Sequence, residues 1–328
     1  VQYCLPFIET MTAASPAPRP ARRLRKVLLA LLAIVIAVLI AIPLARNEEH
    51  GPLDATARRQ APGQFVTLSH GVVHVRIAGP EQGRPVLLVH GFSVPSYVFD
   101  KTSEDLAAQG FRVIRFDLYG RGWSDRPDVV YDRRLFAEQV LELMDALHIP
   151  KADLLGLSMG GAIVGRFAAE HPERVRSVVL VAPLTRPHDI SVMAWPGVGE
   201  WLTRAWFLPS LAASQLEDFA HPERMAGWPE RFKPQMRYDG FGRAILSSIR
   251  HVSADSSVPD FEKVGKTGLP VLLVWGEADK TVPYAEHVDV QRAIPQARLL
   301  SLPGTGHLPV VEDPAAVHPG IAAFLSRH

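Results

Sequence analysis

The 328-residue chain contains a single cysteine, Cys4, close to its N-terminus. An intrachain disulfide and a cysteine-based metal site are thereby excluded, and stability has to come from packing. Neither charge is in excess, since 35 lysines and arginines stand against 34 aspartates and glutamates, a formal net charge of +1. No broad field is available to hold nucleic acid or another polyanion. His70 and His74 are spaced by four, but Gly71 and two valines lie between them. A metal-binding pair at that spacing needs a helix, whereas these residues favour strand, so both are read as structural. No metal, no cofactor and no nucleic-acid partner is expected. What the chain does have is apolar material, 47% of its residues, which excludes disorder and suffices for a large α/β core.

Charged and hydrogen-bonding side chains are missing altogether from residues 27–45, VLLALLAIVIAVLIAIPLA. At roughly 1.5 Å per residue such a helix spans the hydrocarbon of a bilayer. A buried core helix would carry a polar face. A cleaved signal peptide, after which the rest would be secreted, would have a shorter apolar region, and Pro43 is badly placed for a cleavage site. The segment is read as a transmembrane signal anchor. Arg19, Arg22, Arg23, Arg25 and Lys26 precede it, whereas Glu48 and Glu49 follow. The positive-inside rule then puts the N-terminus in the cytoplasm and the bulk of the chain on the outer side, with the membrane as a partner. Val1 opens the sequence and Met11 follows, which suggests Met11 as the natural start. Residues 1–26 form a basic, proline-rich tail and 46–63 a polar linker.

Beyond the linker, two β-branched runs flank His70-Gly71 as a hairpin. RPVLLVHGF, FRVIRFD, ADLLGLS, VRSVVLVAP, LPVLLVWGEAD and ARLLSLPG read as buried strands. Helical stretches fall near 99–109, 133–148 and 284–294, after Ser158, and at the C-terminus from residue 313. This alternation predicts an α/β fold with a doubly wound, mostly parallel sheet, its core in two parts, 64–185 and 263–328. Residues 186–262 interrupt it. They carry Trp195, Trp201, Trp206 and Trp228 with Phe207, Leu208, Leu211 and Phe232, and they lack strand runs. A helical lid is expected there, most of its aromatics forming a small core of its own and some lining a pocket.

In GLSMG, Ser158 lies between an expected strand and an expected helix, the context in which G-x-S-x-G marks a nucleophile on a tight turn. Gly156 and Gly160 relieve crowding, and Met159 offers its N–H at the helix start to a developing oxyanion. VHGFS ends an earlier buried strand and makes the N–H of Phe92 the second donor, with His90 structural. Asp279 follows the strand in VWGEADKTVP, and His307 sits in the loop GTGHLPVVEDP. All of these loops are expected at one sheet edge, where open α/β sheets bind ligands.

HGF, DLYGRGWSDRP, GLSMGG, GEAD and GTGHLPVVEDP, in this order, resemble the α/β-hydrolase superfamily from about Phe65 to the C-terminus. The resemblance implies Ser158 as nucleophile, His307 as general base and then acid, Asp279 as its orienter, and the Phe92 and Met159 N–H groups as oxyanion donors. Glu277 competes for the acid role, but the family's G-x-x-D spacing from Gly276 favours Asp279; Asp189 is an outside candidate. The 117–127 stretch matches a structural loop, with no catalytic role for its polar residues. Dehalogenases and epoxide hydrolases of this fold use an aspartate at the elbow, so Ser158 argues against both. The chain looks like membrane-anchored serine esterases and monoacylglycerol-lipase-like enzymes. A small-molecule ester substrate, lipid-like because of the anchor, is expected. The alternatives are a carbon–carbon bond hydrolase, another small-carbonyl hydrolase, or a membrane-anchored binding protein without catalysis.

Overall fold

A computed structural model describes residues 20–328 in two units, one ending at Ala45 and one running Arg46–His328. Cys4, Met11 and Arg19 lie outside the described residues. The first unit is the helix Pro20–Ala45. Its segment Arg22–Ala45 has a mean hydropathy of 3.3 and buries nothing in the protein. A helix that is apolar all round and unburied meets the length and composition of a membrane span, and those of a signal sequence as well.

The second unit is built on eight strands: β1 (Gln64–Leu68), β2 (Gly71–Ala78), β3 (Arg84–Val89), β4 (Phe111–Phe116), β5 (Ala152–Leu157), β6 (Val175–Val181), β7 (Val271–Gly276) and β8 (Arg298–Leu302). They form one sheet in the order β1-β2-β4-β3-β5-β6-β7-β8. The β1–β2 and β2–β4 pairings are antiparallel and the others parallel. The expected α/β architecture, a doubly wound and mostly parallel sheet, is therefore present.

Strand pleating sorts the apolar residues onto two faces. Leu87 and Val89 of β3 join one core with Phe136 and Phe167, from the helices Arg133–Ala146 and Met159–Glu170. Val86 and Leu88 join the other with Leu106 and Phe324, from the helices Asp100–Ala108 and Pro314–Arg327. Each fully buried valine or leucine contributes about 1.5–3 kcal/mol. Asp153, buried within β5, is matched by a bidentate contact from Arg84 and a 2.6 Å bond from Ser177 Oγ.

Between β6 and β7 the chain is helical, with no strand among residues 186–262. The insert does not build a separate core as its composition suggested. Leu208, Leu211, Trp228 and Phe232 merge with the apolar cluster under Val86 and Leu88, because the insert is too thin to bury them against itself. Trp195 and Trp206 stay exposed, at 62% and 69%. Of residues 46–63, polar as a linker would be, the stretch 46–51 is laid along this insert, and Arg58 instead pairs with Asp125. Arg46 Nη1 donates to Ala205 O at 2.9 Å, Glu49 accepts from Gly242 N at 2.7 Å, and His50 N donates to Arg237 O at 2.7 Å.

β3 and β5 pair in parallel with Val89 opposite Gly156, so the chain after Val89 and the turn at Ser158 emerge side by side. β3 is also where the sheet changes winding direction, β4 on one side and β5 on the other, the position at which such sheets open a crevice. β7 and β8 pair with Gly276 opposite Leu302, which brings the loops carrying Asp279 and His307 together.

Candidate active site

Ser158 has φ +55° and ψ −120°, a conformation that costs a non-glycine residue about 1–3 kcal/mol. Bonds on both sides hold it: its N–H donates to Val181 O at 2.9 Å, and its carbonyl accepts from Leu184 N and Gly161 N, both at 2.9 Å. The glycine at 160 is demanded by close approach, since a Cβ there would press into the Val89 and His90 carbonyl oxygens. The Phe92 and Met159 N–H groups donate to no acceptor among the described residues, and both residues line a cavity with Ser158. At Met159 this is the free donor of a helix start, with the positive end of the helix dipole behind it.

His307 Nδ1 lies 2.8 Å from Asp279 Oδ2, and both residues are buried. The other oxygen of Asp279 accepts from Thr281 N and Val282 N, each at 2.9 Å. These bonds fix the carboxylate, which fixes the ring. Burial works against a charged His307, but the charge and hydrogen bond of Asp279, with a further contribution from Asp218, raise its pKa above the usual 6.5. The neighbouring acids do not share this position. Glu277 is exposed, and Asp189, also exposed, accepts from Ser191 N at 2.9 Å. His90 accepts from Leu118 N at 2.9 Å on one ring nitrogen and donates to Gly91 O at 2.9 Å with the other, and burial lowers its pKa to about 4. It is a neutral structural residue.

Ser158 stands between two chambers. One, about 330 Å³, is walled mainly by apolar side chains, among them Met159, Leu184, Ile190, Met193, Phe207 and Ile249. The other, about 270 Å³, is shared with His307 and carries Ser93, Ser214, Gln215, Glu217 and Asp218.

Of this constellation, Asp218 had no signal in the sequence, and Glu312 and Arg121 lie inside GTGHLPVVEDP and DLYGRGWSDRP with no role of their own legible there. Asp218, in the insert, accepts the His307 N–H on its main-chain oxygen at 2.7 Å, and its carboxylate takes the Thr281 hydroxyl at 2.6 Å. Glu312 accepts from Gly306 N on one oxygen and from Ala220 N and His221 N on the other, at 2.6, 2.7 and 3.1 Å. One carboxylate thus fastens the insert to the loop that carries the histidine. Arg121, fully buried, is paired with no carboxylate among the described residues. It donates to Phe92 O at 2.8 Å and Ser248 Oγ at 2.8 Å, and burial lowers its pKa to about 9. The 117–127 loop therefore sets the orientation of the peptide beside Phe92, although it is remote from Ser158 in sequence.

The alpha/beta hydrolase fold family matches residues 84–314. A Pseudomonas putida protein named as the dihydrolipoyllysine-residue acetyltransferase component of an acetoin cleaving system is 32% identical over 76% of this chain, and the match spans 65% of that protein's length. Among solved structures, an enol-lactonase from Burkholderia xenovorans LB400 superposes with a TM-score of 0.72 at 24% identity, covering 80% of this chain and 100% of its own. A thermophilic esterase from Thermogutta terrifontis does so with a TM-score of 0.69 at 25% identity, covering 81% and 99%.

Proposed function

The chain belongs to the α/β-hydrolase fold family, and on that premise we propose that it is a serine hydrolase of carboxylic esters working through an acyl-enzyme. The observation that carries this reading is the buried 2.8 Å pair of His307 and Asp279 opening into the chamber that Ser158 also lines. His307 takes the Ser158 proton through Nε2 as the oxygen attacks the ester carbonyl, and Asp279 stabilises the imidazolium that forms. The Phe92 and Met159 N–H groups receive the oxyanion. On collapse of the tetrahedral intermediate, His307 passes the proton to the leaving alcohol. Water activated by the same histidine then releases the acid and restores the serine.

A lipid-like acyl ester is the proposed substrate. The apolar chamber suits an acyl chain, and the polar one suits an alcohol with hydroxyls. Residues 27–45 serve in this reading as a membrane anchor with the N-terminus in the cytoplasm, and the exposed Trp195 and Trp206 are side chains of the kind that settle at a lipid interface. A second reading, hydrolysis of a carbon–carbon bond in a vinylogous diketone, draws on the same polar chamber, whose Ser93 and Gln215 would hold a second carbonyl.

The test is a fluorophosphonate probe together with a substrate panel of p-nitrophenyl esters, monoacylglycerols and a vinylogous diketone. Labelling at Ser158, lost in Ser158→Ala, with turnover of the esters is the expected result. Turnover of the diketone alone would replace the reaction, and absence of labelling would leave a binding protein on a hydrolase scaffold.

A further inference from the structure

A third cavity, of about 240 Å³, shares no lining residue with the two chambers at Ser158. Strands contribute Arg76 and Arg115, the chain beyond Phe92 contributes Pro95, Ser96 and Tyr97, and the insert contributes Arg231. All three arginines are directed at one carboxylate, Asp100: Arg115 and Arg231 in close contact and Arg76 at 3.8 Å. Asp117, the acid that lines the cavity, is already committed. It accepts from Ser96 N and Ser96 Oγ at 2.9 and 2.6 Å and from Trp123 N at 2.9 Å, and it pairs with His74 at 2.9 Å. Three guanidinium groups therefore face two carboxylates, Asp100 and the already bonded Asp117. The Tyr97 hydroxyl is buried without a hydrogen-bond partner, under an Arg231 guanidinium 4.1 Å from its ring centre. A buried hydroxyl left unpaired is costly. An anionic oxygen of a ligand would satisfy it and would also meet the half-exposed guanidinium groups of Arg76 and Arg231. Trp123, Phe232, Tyr238, Pro62 and Pro234 add flat apolar walls, and His74 and Gln235 add polar ones.

We propose that this cavity is a binding site for a small organic carboxylate with a flat apolar body, its carboxylate held by Arg231, Arg76 and the Tyr97 hydroxyl and its body against Trp123 and Tyr238. The site does not depend on the ester-hydrolase reading. It does adjoin the catalytic loop, because Gln235, one of its walls, donates to Ser93 O at 3.0 Å, next to Phe92.

The experiment uses the full chain in detergent micelles, with benzoate as probe, benzamide as its neutral counterpart and phenyl phosphate as the competing anion, each followed by calorimetry or ligand-detected NMR. Saturable benzoate binding is expected, weaker for benzamide and weakened by salt. Arg231 is half-exposed and can be changed without opening the core, so Arg231→Gln, which removes one charge-assisted bond, should weaken benzoate about 10- to 100-fold. Tyr97→Phe should weaken it several-fold, whereas capping Ser158 with a fluorophosphonate should leave it intact. Absence of saturable binding, equal affinity in Arg231→Gln, or loss of binding on capping would each overturn the proposal. Phenyl phosphate binding more tightly than benzoate would overturn the assignment of the ligand as a carboxylate.

Discussion

Ser158, His307 and Asp279 come from three loops, and their proposed roles differ enough to be separated by substitution. Ser158→Ala should lower kcat by about 10⁴- to 10⁶-fold with the fold intact, and His307→Ala comparably, because such residues act as a unit. Asp279→Asn should also be severely impaired, since an amide cannot stabilise the imidazolium, whereas Glu277→Gln, altering an exposed side chain, should stay near wild type. Purified variants assayed on one soluble ester check all four. The pH profile adds a distinct prediction for Asp218. His307 must be neutral to act as base, and its pKa is raised, so kcat/KM should fall on acidification with an apparent pKa above 6.5. The charged groups facing the ring are Asp279 and Asp218, and Glu217 lines the same chamber. Burial raises the pKa of Asp218 itself, so it ionises later than an ordinary aspartate, and once charged it favours protonated His307. Asp218→Asn keeps the main-chain acceptor for His307 N–H but removes that charge. The acid limb should therefore move to lower pH, and a uniform loss of rate with an unmoved limb would mean that Asp218 is only a structural tie.

At the scale of elements, the strand ends do most of the assembly. The turn at Ser158 is held between β5 and β6, the donor at Phe92 follows β3, and the acid and histidine loops leave β7 and β8 at a paired register. The insert is tied to the rest of the unit at several points, among them the two-sided grip of Glu312 on the loop that carries His307. Glu312→Gln keeps the shape but lets a neutral amide take the place of one carboxylate oxygen. The loss should be about 1–3 kcal/mol of attachment, seen as faster hydrogen exchange at residues 215–221 and a lowered kcat. Fluorophosphonate labelling of Ser158 should persist. Unchanged exchange there would show that the insert is held from elsewhere.

For the whole molecule, the break between the units defines where a truncation can be made. Residues 46–51 are bonded along the insert, so removal of residues 1–45 alone should give a soluble protein that cleaves short water-soluble esters at close to the full-length kcat. Activity on long-chain monoacylglycerols in vesicles should fall selectively, because a tether raises local concentration without adding contacts to the site. Removal of residues 1–63 should in addition lower thermal stability, since the Arg46, Glu49 and His50 bonds are lost with it. Equal losses on both substrates after the shorter truncation would mean that the helix Pro20–Ala45 helps build the catalytic unit.

Those features that depend on neighbours in the chain were determined by the sequence alone. The apolar run of residues 27–45, the alternation of buried strands with helices, and the glycines around Ser158 all act through local periodicity or local sterics, and each is visible in consecutive residues. The same local logic placed His307 and Asp279 on loops just past strand ends. What tertiary structure decided is pairing across distance. That Asp279 rather than Glu277 meets His307 follows from which side chain faces inward after Gly276, only two residues apart. Asp218 carries no motif, and the motifs that contain Glu312 and Arg121 do not show what these residues hold, because each acts through a bond to backbone or side chain brought near only by the packing of insert and loops onto the sheet edge. The third cavity is of this kind too. Arg76, Arg115 and Arg231 are spread over 155 residues, and their shared carboxylate exists only once strands and insert have closed around Asp100. Electrostatic surplus is a property of a place in space, and a sequence whose net charge is +1 gives no sign of it.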